Sequence, residues 1–208
     1  MERNFAAIAF STAVKAMQEK LGSRASYARI EKNSGAEGLT ENEIDFISQC
    51  DSFYMASHGE SGFPYIQHRG GPKGFIKVLD ATRIGFIDFK GNKQYISVGN
   101  ITTNNKVALI MVDYPSRARL KIYARAAVAE LKDNSGLFNL LNTEDYKFPP
   151  ERMIVLTVEA YDWNCPQHIV RRYTISEIED AFAPQVNYIK RLEEEIITLK
   201  GKLCARFD

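Results

Sequence analysis

Between residues 51 and 130 the apolar runs are too short for helices, and each is bounded by Gly, Asn, Asp or Pro. That punctuation constrains the fold more than any other feature of the chain. Short β-rich runs at 52–57, 64–68, 75–79, 83–88, 94–98, 107–113 and 120–130, with one more at 152–161, favour an antiparallel barrel-like sheet over a parallel nucleotide-binding fold. No GxGxxG lies between a strand and a helix. Gly59-Glu60-Ser61-Gly62 reads as the turn of a hairpin.

Helical signals frame this region. Residues 5–21 carry apolar groups at helical spacing and stop at Gly22, so they are expected to form one helix. Residues 23–36 read as an irregular polar stretch, a surface arm or a solvated linker. Thr40 followed by Glu43 is a capping-box pattern that opens a short helix ending near Cys50. A further helix is expected at 134–142. At the C-terminal end Val186, Ile189, Leu192, Ile196, Leu199 and Leu203 recur three and four apart, the pattern of an amphipathic helix whose seam packs on its own barrel, on a twin helix or on another partner. The expected organisation is residues 1–39 as helix and arm, 40–175 as barrel, and 176–208 as helical extension.

Charge narrows the partners. With 27 Lys and Arg against 26 Asp and Glu, the chain has no general field to attract nucleic acid or a membrane surface, so any anion site must be local. No run approaches the roughly 20 apolar residues of a membrane span. Cys50, Cys165 and Cys204 are an odd, widely spaced set without CxxC, which argues against a disulfide framework or a zinc site and for a reducing cytoplasm.

Three polar clusters carry the candidate chemistry: Pro64-Tyr65-Ile66-Gln67-His68-Arg69-Gly70-Gly71-Pro72-Lys73-Gly74-Phe75, then Asp88-Phe89-Lys90-Gly91-Asn92-Lys93-Gln94, then Gly99-Asn100. Glycine-freed backbone N–H groups with long cationic and amide side chains are what a phosphate and a planar hydrogen-bonding ring require. Taken alone, His68 reads equally as a hydrogen-bonded surface histidine, Gly70-Gly71 as a turn, and Trp163 as core filling.

Together with Arg119-Leu120-Lys121-Ile122, these clusters resemble the pyridoxamine 5′-phosphate oxidase-related, FMN-binding split-barrel family over residues 40–175. The resemblance implies a mainly β (α+β) fold, a six-stranded antiparallel split β-barrel with flanking helices, and a homodimer with FMN at the subunit interface. It places His68, Arg69, Gly70 and Gly71 along the ring and ribityl chain, continued by Asp88 and Phe89. Asn92, Lys93 and Gln94 stand where the oxidase grips phosphate with Ser-Arg-Lys, and Arg69, Lys73 or Arg83 supply further charge. Gly99, Asn100 and Arg119 complete that side, while Trp163, Asn164 and Gln167 form a cap over the flavin. The implied activity is an FMN-dependent oxidoreductase acting on a small molecule; the alternative is a flavin- or haem-binding module without turnover. In either case the flavin carries the redox chemistry and no catalytic acid or base is required of the chain.

Overall fold

The computed structural model describes residues 4–32, 38–143, 146–163 and 166–204. Seven strands, β1 (Ser52–His58), β2 (Pro64–Gly70), β3 (Lys77–Asp80), β4 (Arg83–Phe89), β5 (Lys106–Asp113), β6 (Ala118–Ala129) and β7 (Pro150–Trp163), form one sheet. Their order is β2-β1-β5-β6-β7-β4-β3, and every neighbouring pair is antiparallel. The expected strand count of six is therefore corrected to seven, because the short β3 pairs with β4 as a strand of its own. The sheet bends round its core. Although β2 is an edge and β4 lies next to the other edge, Arg69 on β2 bonds Asp88 on β4, and the ring centroids of Phe53 on β1 and Phe86 on β4 are 5.2 Å apart.

The core follows from period-two alternation. Phe53 and Met55 on β1, Val107, Leu109 and Met111 on β5, and Leu120, Ile122, Ala124 and Ala126 on β6 are all buried. Strand β4 is instead buried on both faces from Ile84 to Asp88. Its second face meets α6 (Ser135–Leu141), whose Leu141 packs with Ile87 and Met153. A side chain at Gly85 would run into Leu141, so glycine there permits the close approach of helix and strand.

The helices depart from the sequence reading in three places. The expected helix over 5–21 is two, α1 (Phe5–Ala9) and α2 (Thr12–Lys20), because the Ser11 side chain accepts from the Val14 N–H and starts a new helix. The expected arm contains α3 (Arg24–Lys32), held to α2 through Glu31, which pairs with both Lys15 and Arg24; residues 33–36 of that stretch lie outside the described residues. The expected strand at 94–98 is a turn followed by α5 (Ile96–Thr103). Left-handed backbone at Lys93 (φ 62°) and Tyr95 (φ 55°) turns the chain, and burial of Ser97 and Ile101, four apart on one face, overrides the β-preference of Ile96 and Val98.

Contacts divide the chain into two compact units, Met1–Asp113 with Arg117–His168, and Tyr114–Ser116 with Ile169–Asp208. The second carries α7 (Ile175–Cys204). None of the described helices is long and apolar enough to cross a membrane.

The capping box opens α4 (Glu41–Gln49) as its sequence predicts, and it does a second job. The Glu43 carboxylate, buried, also accepts the indole N–H of Trp163 at 2.6 Å. Burial pushes the Glu43 carboxyl up, but the hydrogen bonds from Thr40 and Trp163 outweigh it and hold the group below its ordinary value. Burial, and then the charge of Glu43, push the Tyr161 phenol up to about 12. A carboxyl lowered in this way stabilises the fold fully above its unfolded value of about 4.3 and loses that contribution as pH falls through the folded value. We expect Glu43→Gln to lower stability at pH 7 by about 1–3 kcal/mol and to flatten the acid limb. Urea titrations at several pH values, read by emission of the single tryptophan, measure both.

Candidate functional site

Strand β2 presents Tyr65, Gln67 and Arg69 on its half-buried face and Pro64, Ile66 and His68 on its exposed face. The inner face supplies one wall of a cleft. Strand β4 supplies Asp88 and Phe89, the 90–95 turn supplies Gly91, Asn92, Lys93, Gln94 and Tyr95, and β7 supplies Glu151 and Arg152. The first residues of α5, Ile96, Ser97 and Val98, form the floor.

Asp88, only 5% exposed, ties the walls together. One carboxylate oxygen takes Arg69 and the other takes Arg152 at 3.0 Å, with Arg152 lying opposite Asp88 in the β4–β7 register. Arg152 also bridges to Glu151 at 3.0 Å, and its guanidinium sits 4.9 Å from the centre of the Tyr95 ring. Burial works against the Arg152 charge, but Asp88 and Glu151 raise its pKa above the ordinary arginine value. The Tyr95 hydroxyl donates to Glu151 at 2.8 Å, which pushes the phenol up.

Several donors in this cleft are left over. The buried Nε of Arg69 has no hydrogen-bond partner. Tyr95, at the N-cap of α5, makes no side-chain capping bond, so the first N–H groups of the helix have no acceptor from their cap. Lys93 is exposed and forms no ion pair among the described residues. Three cations, Arg69, Lys93 and Arg152, thus face two carboxylates, Asp88 and Glu151. The cavity is about 50 Å³, room for a few water-sized groups, which suits a compact anion and not a ring system. A larger cavity of about 320 Å³ lies between Ile8 and strands β1, β5 and β6, but it is mostly apolar and its Arg125 is paired with Glu159 at 2.6 Å. It offers little to an anion.

Of the residues expected at a site, Arg69, Asp88, Phe89, Asn92, Lys93 and Gln94 come together here. The Asn92 side chain accepts from the Gln94 N–H at 3.2 Å, and so shapes the turn. The others lie elsewhere. His68 is on the opposite face of β2, 5.3 Å from the ring of Tyr54, and Gly70 ends the same strand. Gly71 lies where a side chain would strike Phe75, so it serves the turn after β2. Gly99 lies within α5, and Asn100 donates to Ser57 at 3.0 Å. Arg119 sits on β6 opposite Val112. Trp163 packs edge-on against Phe46 and bonds Glu43. Gln167 is exposed, and Asn164 lies outside the described residues.

The cleft also contains groups the sequence reading passed over: Gln67, Tyr95, Ser97, Glu151 and Arg152. Gln67 was within reach, because it lies two residues before Arg69 on the same strand face. Arg152 was not, since its bond to Asp88 spans 64 positions and no local pattern announces it. Ser97, which donates to Gln67 at 2.8 Å, was hidden by reading its segment as a strand.

Removing Asp88 leaves two mostly buried guanidinium groups without their shared anion. We expect Asp88→Ala to cost about 3–5 kcal/mol of stability. Arg69→Met leaves the Asp88–Arg152 pair intact and should cost clearly less. Urea midpoints of the two variants compare them directly.

The family model described as pyridoxamine 5′-phosphate oxidase matches residues 39–164, more than half of the chain. No curated protein matches. Among solved structures, HupZ of Group A Streptococcus is similar at 14% identity and a TM-score of 0.46, covering 65% of this chain and 99% of its own. An FMN-binding protein from Syntrophomonas wolfei is similar at 13% identity and a TM-score of 0.45, covering 72% and 97%. A protein of the pyridoxinephosphate oxidase family from Clostridium acetobutylicum, related to general stress protein 26, is similar at 16% identity and a TM-score of 0.44, covering 67% and 99%. By the extent of the family-model match, the chain belongs to the pyridoxamine 5′-phosphate oxidase family.

Proposed function

We propose that the chain is an FMN-binding flavoprotein, an oxidoreductase acting on a small molecule, with the flavin's phosphate held in the cleft at the start of α5. The observation that carries this reading is the cationic lining of one small space at the uncapped N-terminus of α5: Arg69, Arg152 and the unpaired Lys93 against two carboxylates. A phosphate monoester carries about −1.5 to −2 charge. The net charge of the lining, one cation in excess of its carboxylates, offsets part of that, and the helix N-terminus adds its own partial positive charge.

Each residue then has a distinct task. Lys93, on its left-handed turn, reaches the anion from solvent. Arg69 adds its positive charge to the wall while Asp88 fixes its guanidinium, so the charge is placed before any ligand arrives. Ser97 and Gln67 hold each other and keep the floor polar. FMN, when bound, supplies the redox chemistry; this chain supplies position and electrostatics. The family's homodimer, with FMN at the subunit interface, is part of the same proposal.

The test compares FMN with riboflavin, which differs by the phosphate alone. We expect FMN to bind more tightly, and Lys93→Ala to weaken FMN about ten- to hundredfold, the worth of one charge-assisted hydrogen bond, while leaving riboflavin unchanged. Flavin fluorescence quenching measures both. Equal affinities for the two flavins would remove the phosphate assignment, and failure of the protein to bind either would sink the flavin reading. Anaerobic addition of NADH or NADPH then separates turnover from storage: bleaching of bound flavin supports the oxidoreductase, and persistent colour with every reductant tried favours the binding module.

A further inference from the structure

Helix α7 runs without a break from Ile175 to Cys204, about 45 Å at 1.5 Å per residue. Its start is fixed by a second capping box, in which Thr174 and Glu177 exchange hydrogen bonds of 2.7 Å and 3.2 Å. Placing Ile175 at heptad position a generates a seam that alternates three and four residues along the whole helix: Ile175, Ile178, Phe182, Gln185, Ile189, Leu192, Ile196, Leu199 and Leu203. Each apolar member is exposed. Pro184 falls at position c, off the seam, where its missing N–H does not interrupt the contact face.

We propose that α7 pairs with α7 of a second copy of this chain as a parallel, in-register, two-stranded coiled coil. Three features of the seam choose this occupant and direction. In the C-terminal half Ile189 and Ile196 occupy a while Leu192 and Leu199 occupy d, the combination that among parallel coiled coils favours two strands. Glu195 at g meets Lys200 at e of the partner helix five positions on, an attraction made twice by symmetry. Gln185, the one polar residue in the seam, faces another Gln185 only when the helices are parallel and in register; in an antiparallel pair of near-full overlap it would be set against Ile196 and left without a hydrogen-bonding partner. Four heptads also exceed the length at which an isolated helix pair is marginal. The inference rests on α7 alone and does not depend on the flavin reading.

The full-length protein is tested in a Cys204→Ser background, with Leu192→Cys at d or Ile197→Cys at the outward b position. Mild oxidation should convert most of the Leu192→Cys protein to a covalent dimer and leave the Ile197→Cys protein and the parent background as single chains on a denaturing gel. Glu195→Lys added to Leu192→Cys should reduce the initial cross-linking rate about fivefold, and a further Lys200→Glu should restore it. Mixing chains carrying Phe182→Cys with chains carrying Leu199→Cys should give no mixed dimer beyond the parent level. Absence of the 192–192 link, or efficient 182–199 linking, overturns the proposal.

Discussion

A single buried carboxylate, Asp88, holds two cations that come from distant parts of the sheet. Arg69 belongs to the edge strand β2 and Arg152 to β7, and both reach Asp88 on β4. The sheet order separates β2 from β4 by four strands, so this bond requires the sheet to curl. Taking three charges out of water is costly, and the arrangement survives because each carboxylate oxygen has its own guanidinium partner. The cleft exists on the same terms. Its walls are the three elements that Asp88 draws together.

The turn beside this triad is held in backbone conformations that ordinary residues avoid. Lys93 and Tyr95 are both left-handed, at roughly 1–2 kcal/mol for each non-glycine residue. Tyr95 has compensation in its bond to Glu151 and in the guanidinium of Arg152 over its ring. Strain of this kind is retained where the surroundings over-determine it, and it leaves the start of α5 open to the cleft. A more relaxed turn with Asn or Ser at the N-cap would close the helix end with its own side chain.

Much of the fold was legible in the sequence because its signals are local. The Thr40–Glu43 box, the alternation in β1, β5 and β6, and the turn residues between strands each act within a few positions. Failures came where tertiary contacts decide. Ile96 and Val98 favour a strand in isolation, yet packing of Ser97 and Ile101 makes a helix; α3 depends on Arg24 and Lys15 converging on Glu31. The site divides in the same way. Asn92, Lys93 and Gln94 lie on one turn and were found together, whereas Arg152 enters through a strand pairing that no spacing reveals.

The position of β7 bears on how the chain emerges during synthesis. Strand β4 is complete by residue 89, but its pairing edge stays empty until residues 150–163 arrive to fill it. Throughout that interval the apolar run from Ile84 to Ile87 has only the short β3 beside it. An unpaired edge of this kind is open to strand addition from another nascent chain. The bond from Trp163 to Glu43, spanning 120 positions, forms only when the last strand docks, as does the pairing that joins β4 and β3 to the rest of the sheet. A ribosome-bound fragment ending before residue 150 therefore carries most of the cleft's residues without the strand that locks them in place.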